Sequence, residues 1–173
     1  MSTEREGAAT LRGNPLTLIG PELKVGDPAP DFNVVDVNLK AVKLADTGDG
    51  IRIFSVVPSV DTPVCAIQTQ KFNQEAPKLD GVTVYTVSMD LPFAQKRWAT
   101  SEGAENIQML SDHREGSFGS SYGTLVKDVR IESRAIFVVG PDNKIKYVEY
   151  VKEVAEEPNY EKAIAAAKSV AAS

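Results

Sequence analysis

A chain of 173 residues, 42% hydrophobic and 25% charged, has the size and balance of one soluble domain that buries a sizeable core, and no second domain is needed. Its net charge of -5, with no concentrated basic stretch to offset it, argues against nucleic acid or an anionic membrane as main partner, and no apolar run reaches the length of a membrane span. A single cysteine excludes both an internal disulfide framework and a Cys-x-x-Cys redox pair.

In chain order, residues 1–12 are polar and rich in small residues. They lack the apolar stretch of a secretory signal and read as a flexible N-terminal tail, with residues 13–173 as one domain. Together with the lone cysteine this fits a reducing, cytoplasmic setting. Gly13-Asn14-Pro15 before Leu16-Thr17-Leu18-Ile19, with Gly20-Pro21 beyond, predicts a small N-terminal hairpin. The prolines of Val25-Gly26-Asp27-Pro28-Ala29-Pro30-Asp31-Phe32 favour extended chain. Phe32 to Val37 reads as a strand, Asp46 to Gly50 as a loop, and Ile51 to Val57 as a β-branched, buried strand.

Pro58-Ser59-Val60-Asp61-Thr62-Pro63-Val64-Cys65 follows that strand and opens a helix closed by Pro77. Thr62 suits the N-cap and Pro63 the first helical position, which makes Cys65 the third helical residue. There the unpaired backbone N–H groups and the helix dipole favour negative charge, so the position suits a thiolate. The Thr62 hydroxyl has lone pairs and a proton enough to cap the helix and still reach the sulfur or a bound oxygen. Pro58 offers no N–H, and its ring is placed to shield the sulfur. Val64, Ile67 and Phe72 approximate an apolar face, while Gln68, Gln70, Lys71, Asn73, Gln74 and Glu75 are expected on the wet one.

Val82 to Ser88 alternates as a strand, and Met89-Asp90-Leu91-Pro92 opens a second helix reaching about Glu102, so parallel pairing with right-handed crossovers is expected. Ile107 to Leu110 is a short strand, Ser117 to Tyr122 a short helix, and Ala135 to Val139 with Ile145 to Val151 an antiparallel hairpin. A last helix is capped near Asn159 and carries Tyr160, Ile164, Ala167 and Ala171 at helical spacing. The lone His113 has no ligand-spaced neighbours, so no metal or other cofactor is assigned. The result is an α/β chain of thioredoxin-like order, a central mixed sheet flanked by helices, with an N-terminal β-hairpin extension.

Pro-x-x-x-Thr-x-x-Cys at the start of a helix after a buried strand resembles the peroxidatic site of the peroxiredoxins. The octapeptide ending at Cys65, together with Asp90-Leu91-Pro92-Phe93-Ala94-Gln95, is similar to the thiol peroxidase subfamily, the atypical two-cysteine type, from about Gly13 to the last helix. The resemblance implies a peroxidase that reduces hydrogen peroxide and organic hydroperoxides through a Cys65 sulfenic acid, is recycled by thioredoxin or another external thiol, and forms a homodimer. It also implies that Arg134, just before the Ala135 strand, reaches the sulfur; from the residues alone Arg134 is a strand-edge charge. The subfamily's resolving cysteine follows Arg-Phe or Arg-Trp in the second helix. Here Arg97-Trp98 is followed by Ala99, and Thr100-Ser101 also departs from the frequent Gly-Ala. A one-cysteine member served by an outside thiol and an alanine replacing the resolving cysteine both fit. A glutathione-peroxidase-like enzyme, for which Trp98 is misplaced, and a non-catalytic thioredoxin-fold binding module are the competing functions.

Overall fold

The computed structural model describes residues 3–173. A fully buried strand, β5 (Ile51–Val56), lies at the centre of a seven-stranded mixed sheet of order β10-β9-β5-β6-β7-β3-β4. The remaining members are β3 (Val34–Asp36), β4 (Ala41–Val42), β6 (Val82–Ser88), β7 (Gln108–Ser111), β9 (Ala135–Val139) and β10 (Ile145–Tyr150). β5, β6 and β7 run parallel, as the intervening helices require, whereas β9 pairs antiparallel with β5 and β10 with β9.

Because side chains alternate along a strand, the sheet feeds two cores. Phe54 and Val56 of β5 and Phe137 of β9 face an aromatic layer with Phe32, Phe118 and Tyr122. Phe118 and Tyr122, from the short helix α3 (Ser117–Tyr122), stack at 4.1 Å between ring centroids. Ile51, Ile53, Ile136 and Val138 face the opposite way. That face is covered by α1 (Pro63–Glu75), α2 (Pro92–Ser101) and α4 (Tyr160–Ala171). Asn159 caps α4 by accepting from the Lys162 backbone N–H at 3.0 Å. The fold is thus α/β with a mixed sheet flanked by helices.

The expected flexible tail over residues 1–12 is corrected: its residues 1 and 2 lie outside the described residues, but Glu4–Leu11 form strand β1. β1 pairs with β2 (Asn14–Ile19), and β2 pairs with β8 (Leu125–Val126) in a second, three-stranded sheet. Polar composition misled here because β1 is an edge strand with much of its surface in solvent. It is fixed by contacts remote in sequence. Arg5 donates to the Gly20 carbonyl at 3.0 Å and to the Gly123 carbonyl at 2.5 Å, and the Glu153 carboxylate accepts from Thr10 Oγ1 at 3.0 Å and Gly13 N at 2.9 Å. The predicted strand over Phe32 to Val37 shortens to Val34–Asp36, and the first two residues of the loop predicted over Asp46 to Gly50 belong to a 3-10 turn over Leu44–Thr47.

The expected faces of α1 are corrected as well. Cys65, Gln68, Thr69, Phe72 and Asn73 form the buried stripe, whereas Ile67 is 53% exposed. Those residues keep an i, i+3, i+4, i+7, i+8 spacing, so the helical period holds while polarity fails as a guide. Gln68 is inside because a buried cation waits there.

Candidate active site

Main-chain geometry delivers Cys65 as its sequence position predicts. β5 ends at Val56, Thr62 sits at the N-cap with extended φ/ψ of -97°/149°, and Pro63 begins α1. Cys65 is fully buried. The Thr62 hydroxyl does not cap the helix: it donates to the Ser59 carbonyl at 3.2 Å, leaving its oxygen lone pairs free to accept.

Arg134, 69 residues away, arrives from the start of β9, next to β5, and its Nη2 lies 3.3 Å from Cys65 Sγ. The other guanidinium donors go to Gln68 Oε1 at 2.8 Å and to the Val154 carbonyl at 2.8 Å. Gln68 is in turn fixed by donating to Ser55 Oγ of β5 at 2.8 Å. Arg134 is 2% exposed, and among the described residues no carboxylate forms an ion pair with it. A buried guanidinium needs a compensating anion, and the sulfur of Cys65 is the atom in reach that can supply one. The Arg134 guanidinium and the N-terminus of α1 thus both direct positive potential at the Cys65 sulfur.

Pro58, Thr62 and Arg134 line one cleft of about 330 Å³, whose walls include Leu11, Leu16, Val126, Val129, Ile131 and Val154. Of the residues named from the sequence, Pro58, Thr62 and Arg134 thus share this cleft, Cys65 lies behind it in contact with Arg134, and Ala99 does not join them. It lines a separate hollow with Val37 and Met109. Tyr160 packs edge-on against Phe72 at 5.6 Å between ring centroids, and burial together with Glu157 holds its phenol protonated well above the usual range.

Sequence reasoning missed Gln68 as a site residue. Its spacing of three from Cys65 places both on one helix face, a signal available in the sequence. It also missed Glu132, two residues before Arg134, which is completely buried and accepts from Thr124 Oγ1 at 2.7 Å. Its other oxygen, Oε1, is buried without a hydrogen-bond partner among the described residues, and the neighbouring carboxylate Asp112 already accepts the backbone N–H groups of Phe118 and Gly119 at 3.0 and 2.9 Å. Only a glycine at 119 leaves room for Glu132, since a Cβ there would lie 2.6 Å from Glu132 Oε2. Desolvation first, then the neighbouring Asp112, raises the Glu132 pKa well above the carboxylate range, so Glu132 keeps its proton.

That proton carries a stability consequence. The unfolded carboxyl releases it near pH ~4.3 and the folded one retains it, so the contribution of Glu132 to stability is fully present below that value and falls as pH rises, by up to about 1.4 kcal/mol per unit. Glu132→Gln can donate to Asp112 and accept from Thr124 without a proton. Urea unfolding between pH 5 and 8 is expected to show a flatter pH dependence for Glu132→Gln than for the unchanged chain; equal slopes would remove the retained proton on Glu132.

Comparison with known proteins shows the family. The Redoxin family model matches residues 24–164. The chain is 54% identical over 160 residues to the thiol peroxidase of Halalkalibacterium halodurans, covering 92% of this chain and 96% of that one. It is 50% identical over 161 residues to the thiol peroxidase of Bacillus subtilis, covering 93% and 96%. Among solved structures, a peroxiredoxin-like protein from Aquifex aeolicus superposes with a TM-score of 0.89 at 40% identity, covering 96% of this chain and 99% of that one.

Proposed function

The chain belongs to the Redoxin family and is a thiol-dependent peroxidase, and from that premise we propose that Cys65 is its peroxidatic residue, with Thr62, Arg134 and Pro58 completing the site. The observation that carries the assignment is the 3.3 Å contact of Arg134 Nη2 with a buried Sγ, made by a guanidinium without a carboxylate partner among the described residues. The Cys65 thiolate attacks one oxygen of the hydroperoxide and the O–O bond breaks. A hydroxyl passes to sulfur, and the other oxygen leaves as water or alcohol after taking a proton; sulfur is oxidised by two electrons to sulfenic acid. Arg134 offsets negative charge on sulfur and on the departing oxygen. The Thr62 oxygen accepts from the hydroperoxide O–H and aligns the O–O bond with the sulfur. Pro58 closes the pocket on the side where a backbone N–H would bring water.

The apolar cleft walls suit organic hydroperoxides beside hydrogen peroxide. Thioredoxin or another external thiol returns the sulfenic acid to thiol. Leu91 and Phe93 at the start of α2 and Ile67 on α1, between 52% and 67% exposed, favour a homodimer. Among the described residues no helix is long and apolar enough to cross a membrane, and the lone reduced cysteine accords with a cytoplasmic setting. The test is peroxide consumption by purified protein with dithiothreitol. Cys65→Ser is expected to reduce the rate to background, and retained activity would move the chemistry away from Cys65.

A further inference from the structure

The loop that presents Thr62 and Cys65 is tied down from outside by one carboxylate that the chemistry above does not use. Asp90, just before α2, accepts Ser59 Oγ at 2.7 Å and the Val60 backbone N–H at 2.9 Å, both from the Pro58–Cys65 loop. It also accepts Ser88 Oγ, at the end of β6, at 2.7 Å. Ser88 is anchored further by the buried Gln95 of α2, which donates to Ser88 Oγ at 3.1 Å and to the Leu110 carbonyl at 2.9 Å. The Ser59 carbonyl takes the Thr62 hydroxyl at 3.2 Å and the Thr62 backbone N–H at 3.3 Å. A continuous chain of hydrogen bonds thus runs from the ends of β6 and β7 through Asp90 and Ser59 to Thr62.

We infer that Asp90 is a positioning residue that latches the Cys65 loop closed and so sets the balance between the two halves of the catalytic cycle. The inference rests on Cys65 as the peroxidatic residue. Attack on peroxide needs the closed loop, in which Thr62, Arg134 and the sulfur converge. Capture of the product has the opposite need. An external thiol must attack the sulfur of Cys65 sulfenic acid, forming a mixed disulfide and releasing water, and the sulfur has no solvent exposure in the closed fold. The first turn of α1 must therefore open, and opening breaks the bonds to Asp90. With alanine at position 99 no cysteine of this chain can capture the sulfenic acid before the loop opens to an outside thiol, so the strength of this latch governs recycling. A carboxylate accepting three hydrogen bonds is a stronger anchor than the neutral carbonyls and hydroxyls that otherwise hold the loop.

Asp90→Asn keeps the shape but retains a single acceptor oxygen, and Ser59→Ala removes one latch bond while leaving Asp90 in place. For both variants, single-turnover oxidation of Cys65 by hydrogen peroxide is expected to slow, at least tenfold for Asp90→Asn and less for Ser59→Ala. Capture of the preformed sulfenic acid by 2-nitro-5-thiobenzoate is expected to accelerate severalfold in the same order. A structural defect alone would slow both steps together, and that result, or no change in either, overturns the latch. Amide hydrogen exchange over residues 59–66 reads the latch without any peroxide chemistry. Faster exchange in Asp90→Asn supports the latch even if Cys65 proves not to be peroxidatic, and exchange equal to that of the unchanged chain overturns it even if peroxide reduction at Cys65 holds.

Discussion

Arg134→Ala is expected to lower the second-order rate constant for peroxide reduction by about 10²- to 10³-fold, the range found when one preorganised donor to a developing anion is removed. The loss has two sources. Nη2 no longer faces Sγ at 3.3 Å, so the thiolate loses its buried counter-charge, and the oxygen leaving the peroxide loses a donor that needs no reorganisation. The same substitution orphans Gln68 Oε1 and the Val154 carbonyl, each bonded to the guanidinium at 2.8 Å. A buried acceptor left unpaired costs about 1–3 kcal/mol, so stability falls as well. Arg134→Lys separates the two sources. A lysine restores positive charge but has no fork with which to hold Gln68, Val154 and the sulfur at once. It is expected to recover part of the rate and little of the stability. Stopped-flow oxidation of Cys65 and urea unfolding of the three proteins check this, and an Arg134→Ala rate within twofold of the unchanged chain would reduce Arg134 to a structural role.

Why Arg134 could not be assigned from its own neighbourhood is a matter of sequence distance. Local signals report local structure: the Thr62-Pro63 helix start, the β-branched run of β5 and the Gly140-Pro141-Asp142-Asn143 turn each specify their element within a few residues. The approach of Arg134 to Cys65 depends on β9 pairing with β5 in a register that puts Ala135 beside Val56. That register is a property of the whole sheet, and only resemblance to a known site supplied it in advance. Gln68 and Asn73 failed for a related reason. A polar side chain is assigned to water by default, and these two are buried because partners from other elements satisfy them: Arg134 and Ser55 for Gln68, and the Asn106 backbone N–H, which donates to Asn73 Oδ1 at 2.8 Å. β1 shows the same limit at the N-terminus, where pairing with β2 and anchoring by Arg5 and Glu153 order a segment whose composition argues for a loose tail.

Ala99→Cys is expected to convert the chain from an enzyme that waits for an outside thiol into one that resolves its own sulfenic acid. In the closed fold the two positions are poorly disposed for it. Cys65 is fully buried against Arg134, and Ala99 lines a hollow with Val37 and Met109, apart from the cleft of Pro58, Thr62 and Arg134. A disulfide needs Cα atoms within about 7 Å, so both the first turn of α1 and the second half of α2 must rearrange. What joins the two helices there is modest. Arg97 and Asp61 form an exposed ion pair at 3.4 Å, worth little in water, and Gln70 donates to the Glu102 carbonyl at 2.8 Å beside a hollow of about 290 Å³. Such a joint opens at small cost compared with global unfolding, and Trp98, buried one residue before position 99, would report the opening by its fluorescence. With one equivalent of peroxide, Ala99→Cys is expected to form an internal disulfide between Cys65 and the introduced thiol, releasing water, and to turn over many times with thioredoxin. The unchanged chain is expected to stop at sulfenic acid, to over-oxidise to sulfinic acid with excess peroxide, or to link to another thiol. Peptide mapping without reductant decides between the outcomes. Sulfinic acid on Cys65 with the introduced thiol still free would show that α2 does not open on the timescale of the second oxidation, and that recycling in this protein depends on the α1 loop alone.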